Sequence, residues 1–269
     1  RALRAMTVDQ QVGLLFVTLF GVLLLASVVA GLLRLREATA QAEERHSRLH
    51  RDLRALWVGA VVFWLAWMSG PVGATVTVGV FAFFALREFI TLAHTRRGDH
   101  RSLILAFFVV LPLQYAIVGL ERFDLFTVFI PVYVFLAIPV VSALANDPHR
   151  FLERNAKLQW GIMVCIYGMS HVPALLMLKF PGYDNKNAFM VFFLVLVVQI
   201  CMVTQHFASR RLQRPPVAPA ISQSFNWRSW GIGMAVASLC GALLAGITPW
   251  VPGTAFAFSF IACLAGSMG

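Results

Sequence analysis

Apolar runs long enough to cross a bilayer follow one another along almost the whole chain, and no other feature restricts its fold so much. A helix needs roughly 17 to 25 mostly apolar residues to span about 30 Å of hydrocarbon, and inside that layer every backbone N–H and C=O must find its partner within the protein. The runs are continuously apolar and do not alternate residue by residue, which selects helices over barrel strands. Nine spans are expected, at about 11–33, 55–69, 71–87, 103–120, 125–145, 159–178, 188–207, 230–248 and 251–269. The predicted fold class is therefore all-α, a polytopic membrane bundle forming one domain over residues 1–269. Composition agrees: 59% of residues are hydrophobic, 13% are charged, and the mean hydropathy is +0.76. A soluble fold is excluded by those values.

The formal charge of +10 would point to nucleic acid in a soluble protein. Here the cations sit between the spans, so topology explains them and no nucleic-acid partner is expected. Segments 34–54, 87–102, 146–158 and 208–229 hold 17 of the 22 lysines and arginines. The positive-inside rule then puts the amino terminus outside and the chain's last residue in the cytoplasm of a bacterial inner membrane. Segment 34–54 has helix-forming, mixed-charge composition and is expected to lie along the membrane surface, either on anionic headgroups or as a solvated linker. Segment 208–229 carries Pro215, Pro216 and Pro219 and is expected to be an irregular basic loop. The first run is longer than a signal-peptide core and is expected to be a retained span. Cys165, Cys201, Cys240 and Cys263 all lie in apolar stretches without C-x-x-C spacing, and read as core hydrophobes.

Polar residues within spans cost free energy unless they face a cavity or another helix. Gln114 with Tyr115, Ser170 with His171, and Gln199, Thr204, Gln205 and His206 are such residues. Gln199 and His206, seven apart, share a helix face, whereas Gln205 lies on another side. Each could also simply hydrogen-bond a neighbouring helix. Pro173 frees a carbonyl one turn before it and could open a polar pocket at Ser170 and His171. A metal at His171 is not expected, because no second ligand stands at a suitable spacing.

Taken in order, FFALREFITL (83–92), TRRGDHRSL (95–103), LPLQY (111–115), IPVYVFLAIP (130–139), QWGIMVCIYGMSHVPALL (159–176) and VVQICMVTQ (197–205) resemble the CDP-diglyceride synthetase-like branch of the phosphatidate cytidylyltransferase family. The resemblance implies a multi-span enzyme that condenses CTP with phosphatidate, using magnesium, to give CDP-diacylglycerol and pyrophosphate. Such a transfer needs metal-held carboxylates and cations around the phosphates. Where the family reads S-D-x-x-Q-Y, this chain runs Cys201, Met202, Val203, Thr204, Gln205, His206, so the acid has become Met202 and only Gln205 matches. Where the family reads I-S-P-x-K-T-x-E-G, Ile221 and Ser222 remain, while Phe225 replaces the lysine and Arg228 the glutamate. The family's S-x-x-K-R-x4-K-D signature would begin a few residues beyond Gly269, and the last acid of this chain is Asp184.

The expectation is a family scaffold with impaired catalysis and no intact magnesium site. The surviving candidates are Gln205 and Ser222 near the nucleotide, Arg210 and Arg211 for phosphate charge, and Ser170 and His171 lining a lipid pocket. Expected partners are phosphatidate or another anionic phospholipid, CTP if activity persists, and possible further copies of the chain. A non-catalytic lipid- or partner-binding scaffold is the alternative. A small-solute transporter is a third reading from topology alone.

Overall fold

The computed structural model describes residues 7–36, 40–93, 95–180, 186–212, 217 and 226–268. Among them the secondary structure is helical and includes no strand. We number nine helices in chain order: α1 Val8–Arg36, α2 Ala40–Met68, α3 Gly70–Leu92, α4 Arg97–Gly119, α5 Phe123–Ala143, α6 Phe151–Met177, α7 Asn187–Leu212, α8 Trp227–Leu243 and α9 Pro252–Met268. Seven segments are long and apolar enough to cross a membrane, lying in α1 and in α3 through α8, with α8 extended to Ile247 by a 3-10 turn. Two shorter apolar helices, Leu53–Met68 and Pro252–Ser267, fall where the second and ninth spans are expected.

Two boundaries differ from the sequence reading. Residues 40–54 of the basic segment and the second apolar run form the single helix α2, because nothing between Ala40 and Met68 interrupts helical hydrogen bonding. Helix α6 begins at Phe151, eight residues before the apolar stretch, because FLERNAKLQ is a good helix former despite its polarity. The break between α2 and α3 lies at Ser69 and Gly70, where Gly70 adopts φ +69° and Pro71 follows at the start of α3. A side chain at that φ would be strained, and proline is tolerated in a first turn because its missing N–H has no helical partner there.

The chain divides into two compact units, Arg1–Met177 and Leu178–Gly269. In the first, α3 packs against α2, α4 and α6, and its buried Val78, Ala82 and Leu86 meet Val110, Ile130, Ile138, Ile162 and Ile166. Helix α1 packs on α2 through aromatic rings, Phe16 lying 5.0 Å from Phe63 and 5.4 Å from Trp67. Trp57 Nε1 also donates to Ser27 Oγ at 3.0 Å. Helices α4, α5 and α6 each contain a π-helical segment, at Ala106–Val110, Phe129–Val134 and Ile162–Gly168. Pro131 lies within the second, Pro112 two residues after the first, and Pro173 five residues after the third. Widening a turn lets the chain bypass the missing N–H; before Pro112, Leu111 N reaches back five residues to Ala106 O.

In the second unit α7, α8 and α9 pack around Phe193, Val197, Cys201, Met234, Ala237, Ala255 and Cys263. Small residues bring the backbones together. A Cβ on Gly233 would stand 2.8 Å from Cys201 O, and one on Gly241 would overlap Ser259 Oγ. This is how helices associate in lipid, where packing replaces the hydrophobic effect as the attraction between them.

Candidate functional site

Helix α7 carries the first of the two family motifs, residues 201–206. Gln205 packs where α8 comes closest, its Cβ 3.1 Å from the position a Gly233 Cβ would take. The side chain is partly buried, and its Oε1 has no hydrogen-bond partner among the described residues. Met202, three residues earlier, is 47% exposed. Gln199 and His206 are both exposed, as their shared face requires. Arg210 lies in the last turn of α7, and Arg211 beside it is exposed.

The start of α8 is built by Asn226, whose Oδ1 accepts from Ser229 N at 2.8 Å. Ser229 Oγ donates to Asn226 O at 3.0 Å. An asparagine cap satisfies one of the otherwise unpaired N–H groups of a first turn. Asn226 is buried, yet its Nδ2 has no hydrogen-bond partner among the described residues. Arg228 follows, exposed, where the family motif has an acid. Ser222 and Phe225 lie outside the described residues. Trp230 Nε1 donates to Ser267 Oγ at 2.8 Å and ties α8 to α9.

Ser170 and His171 belong to the first unit, on α6. Ser170 is fully buried and both of its roles are used. Its hydroxyl donates to Tyr167 O at 2.7 Å, so it must accept from Gln114 Nε2 at 3.1 Å. That fixes the Gln114 amide, whose Oε1 has no hydrogen-bond partner among the described residues. Ser170 thus connects two helices through its proton and one lone pair. His171 is exposed and sits edge-on against the stacked rings of Phe126 and Tyr167, at 4.9 and 4.7 Å. Its Nδ1 lies 2.8 Å from Tyr167 O. A carbonyl can only accept, so Nδ1 carries the proton in this contact.

An ionic cluster in the first unit is absent from the sequence reading. Arg154, on the first turn of α6 and 7% exposed, donates from Nη1 to Asp147 Oδ2 at 2.7 Å and from Nη2 to Asp147 O at 3.1 Å. Its Nε lies 3.0 Å from Asp99 Oδ1 without the N–H aimed at that oxygen, an ionic contact more than a directed bond. Asp99 Oδ2 accepts from Arg96 N at 2.9 Å, and Arg96 Nη1 stands 3.8 Å from Asp147 Oδ1. The hydrogen bond from Arg154, with a second from His149 N, holds the Asp147 carboxyl below the usual carboxylate range. Segments 95–99 and 144–150 are thereby joined at one end of the unit. Both had been counted only as topogenic charge; the signal was an Asp within each of two basic segments flanking the same helix pair.

A polytopic helical membrane protein with a polar shell on its late helices is what these features define. Residues 49–269 match the cytidylyltransferase family, and the chain belongs to it. The uncharacterized protein YnbB of Escherichia coli (strain K12) is 29% identical over 208 residues, covering 76% of this chain. The matched region spans 65% of that relative's length. No solved structure matches.

Proposed function

We propose that these residues form the membrane scaffold of a phosphatidate cytidylyltransferase-type protein of the bacterial inner membrane. In this reading they bind phosphatidate or another anionic phospholipid at a basic cytoplasmic end and do not by themselves transfer a cytidylyl group from CTP. The transfer would have a phosphatidate oxygen attack the α-phosphorus of CTP while pyrophosphate leaves, and the charge that builds up there calls for magnesium held by carboxylates.

Met202 carries the proposal. It stands on α7 at the position of the family's metal-binding acid, and a thioether suits soft metals, not magnesium. Among the described residues no group of three or more His, Cys, Asp or Glu could hold a metal ion. Arg228, in place of a glutamate, reverses a charge where Met202 removes one, both changes turning the site away from a cation and toward phosphate. Arg211 and Arg228 are exposed at the ends of consecutive helices, where each arginine near an anionic surface contributes about 1 kcal/mol.

Two measurements test this reading. In detergent micelles with magnesium, labelled CTP and phosphatidate, the chain should give no CDP-diacylglycerol while an active family member does; product above background would overturn the catalytic half. In nanodiscs, phosphatidate should bind in preference to phosphatidylcholine, and the Arg211→Ala, Arg228→Ala double variant should weaken that binding about thirtyfold. Equal binding of the two lipids would overturn the other half.

A further inference from the structure

Helix α5 holds a proline in its last two turns, and the carbonyl that this proline abandons has found a partner on another helix. Pro139 has no N–H, so Phe135 O, four residues earlier, loses its α-helical donor. Phe135 is half exposed along an apolar span, where an unpaired carbonyl is costly. Gln159 Nε2 of α6 donates to Phe135 O at 2.8 Å. Beside Gln159, the gap there is lined by the apolar side chains of Ile130, Val134, Phe135, Ile138, Ile162 and Met163, so among these lining residues Gln159 alone carries a polar side chain.

The bond has a definite place in the helix pair. Phe135 and Gln159 each lie about two turns from the segment 144–150 that joins α5 to α6. Arg154 fixes that segment through Asp147. Farther along α6, Ser170 accepts from Gln114. Turning α6 by one residue, about 100°, would break the Gln159 and Ser170 bonds together.

We infer that Gln159 is a positioning residue: from α6 it replaces the hydrogen bond that Pro139 removes from α5, and so sets the register of the α5–α6 pair. Its amide matters because of the proline, and that dependence separates this role from ordinary packing.

A double-mutant cycle on the full chain in detergent micelles, followed by denaturant titration, tests it. Gln159→Leu keeps the bulk and removes the donor. Pro139→Ala, or Pro139→Leu, returns an N–H to α5. Gln159→Leu alone should lower the folding equilibrium constant about threefold or more, the size of an average side-chain hydrogen bond between membrane helices. In either Pro139 variant the same substitution should have less than half that effect. If Gln159→Leu alone does not fold, the combination with Pro139→Ala should recover folded protein. An unchanged stability for Gln159→Leu, an equal loss in both backgrounds, or no recovery in the combination would overturn the inference.

Discussion

Arg154 engages two carboxylates from two different segments, and its planar five-donor head makes that possible. Removing one partner of a buried ionic set costs more than the set contributes, because the remaining charges stay where water cannot reach them freely. Arg154→Met should therefore destabilise the protein by about 3 kcal/mol in denaturant titration, mostly by stranding Asp99. Arg154→Lys should recover only part of this, since an ammonium cannot span both carboxylates with directed bonds. Asp147 adds a pH signature. Its folded pKa is depressed, chiefly by the bond from Arg154, so the ionised form is favoured in the folded state. Its contribution is complete above the ordinary carboxylate pKa and is lost as pH falls through the lower, folded value. Stability measured from pH 7 down to pH 3 should fall less in Asp147→Asn than in the unaltered chain. An equal fall in both would exclude Asp147 from the acid response.

At the level of whole helices, two glycines two residues apart on α8 should respond in opposite ways. A Cβ on Gly233 meets the backbone oxygen of Cys201, which cannot swing aside, whereas a Cβ on Gly231 meets nothing within 4 Å. Gly233→Ala should cost about 1–3 kcal/mol by forcing α7 and α8 apart. Gly231→Ala should be neutral or stabilising by up to about 1 kcal/mol, from helix propensity alone. Thermal or denaturant unfolding of the two variants side by side makes the comparison. Such contrasts mark the limit of the sequence reading. The nine apolar segments were legible because hydropathy over a span is a local sum. The start of α6 at Phe151 was not, since a polar amphipathic turn carries no span signal. Met202 and Arg228 could be read from motif position, but the Asp99–Arg154–Asp147 cluster joins residues up to 55 positions apart along the chain. The partner of Phe135 O was hidden for the same reason: Pro139 announces an orphaned carbonyl, yet nothing in the string says which helix will supply the donor.

For the molecule as a whole, sidedness can be argued from helix lengths and ion pairs within the first unit. Helix α2 has 29 residues, about 44 Å of helix against roughly 30 Å of hydrocarbon. Its apolar second part, Leu53–Met68, would measure about 24 Å alone, short for a crossing unless part of the basic first half enters the headgroup layer. Arg51 and Arg54 stand at that junction, with stems long enough to reach the interface while their charges remain hydrated. If α2 and α3 both cross, Arg51 lies on the same side as the ion-paired segments 95–99 and 144–150, and the turn at Glu121 and Arg122 lies opposite. In the proposed orientation the first side, with its excess of arginine, would be the cytoplasmic one. In a cysteine-free background, single cysteines at Arg51, Arg97 and His149, all exposed, should resist an impermeant maleimide added to intact cells and react after permeabilisation. A cysteine at Glu121 should react at once. Labelling of positions 97 and 149 on opposite sides would contradict the ion-pair cluster. Labelling of 51 opposite to both would mean that Leu53–Met68 and α3 do not both cross, removing one of the nine expected crossings.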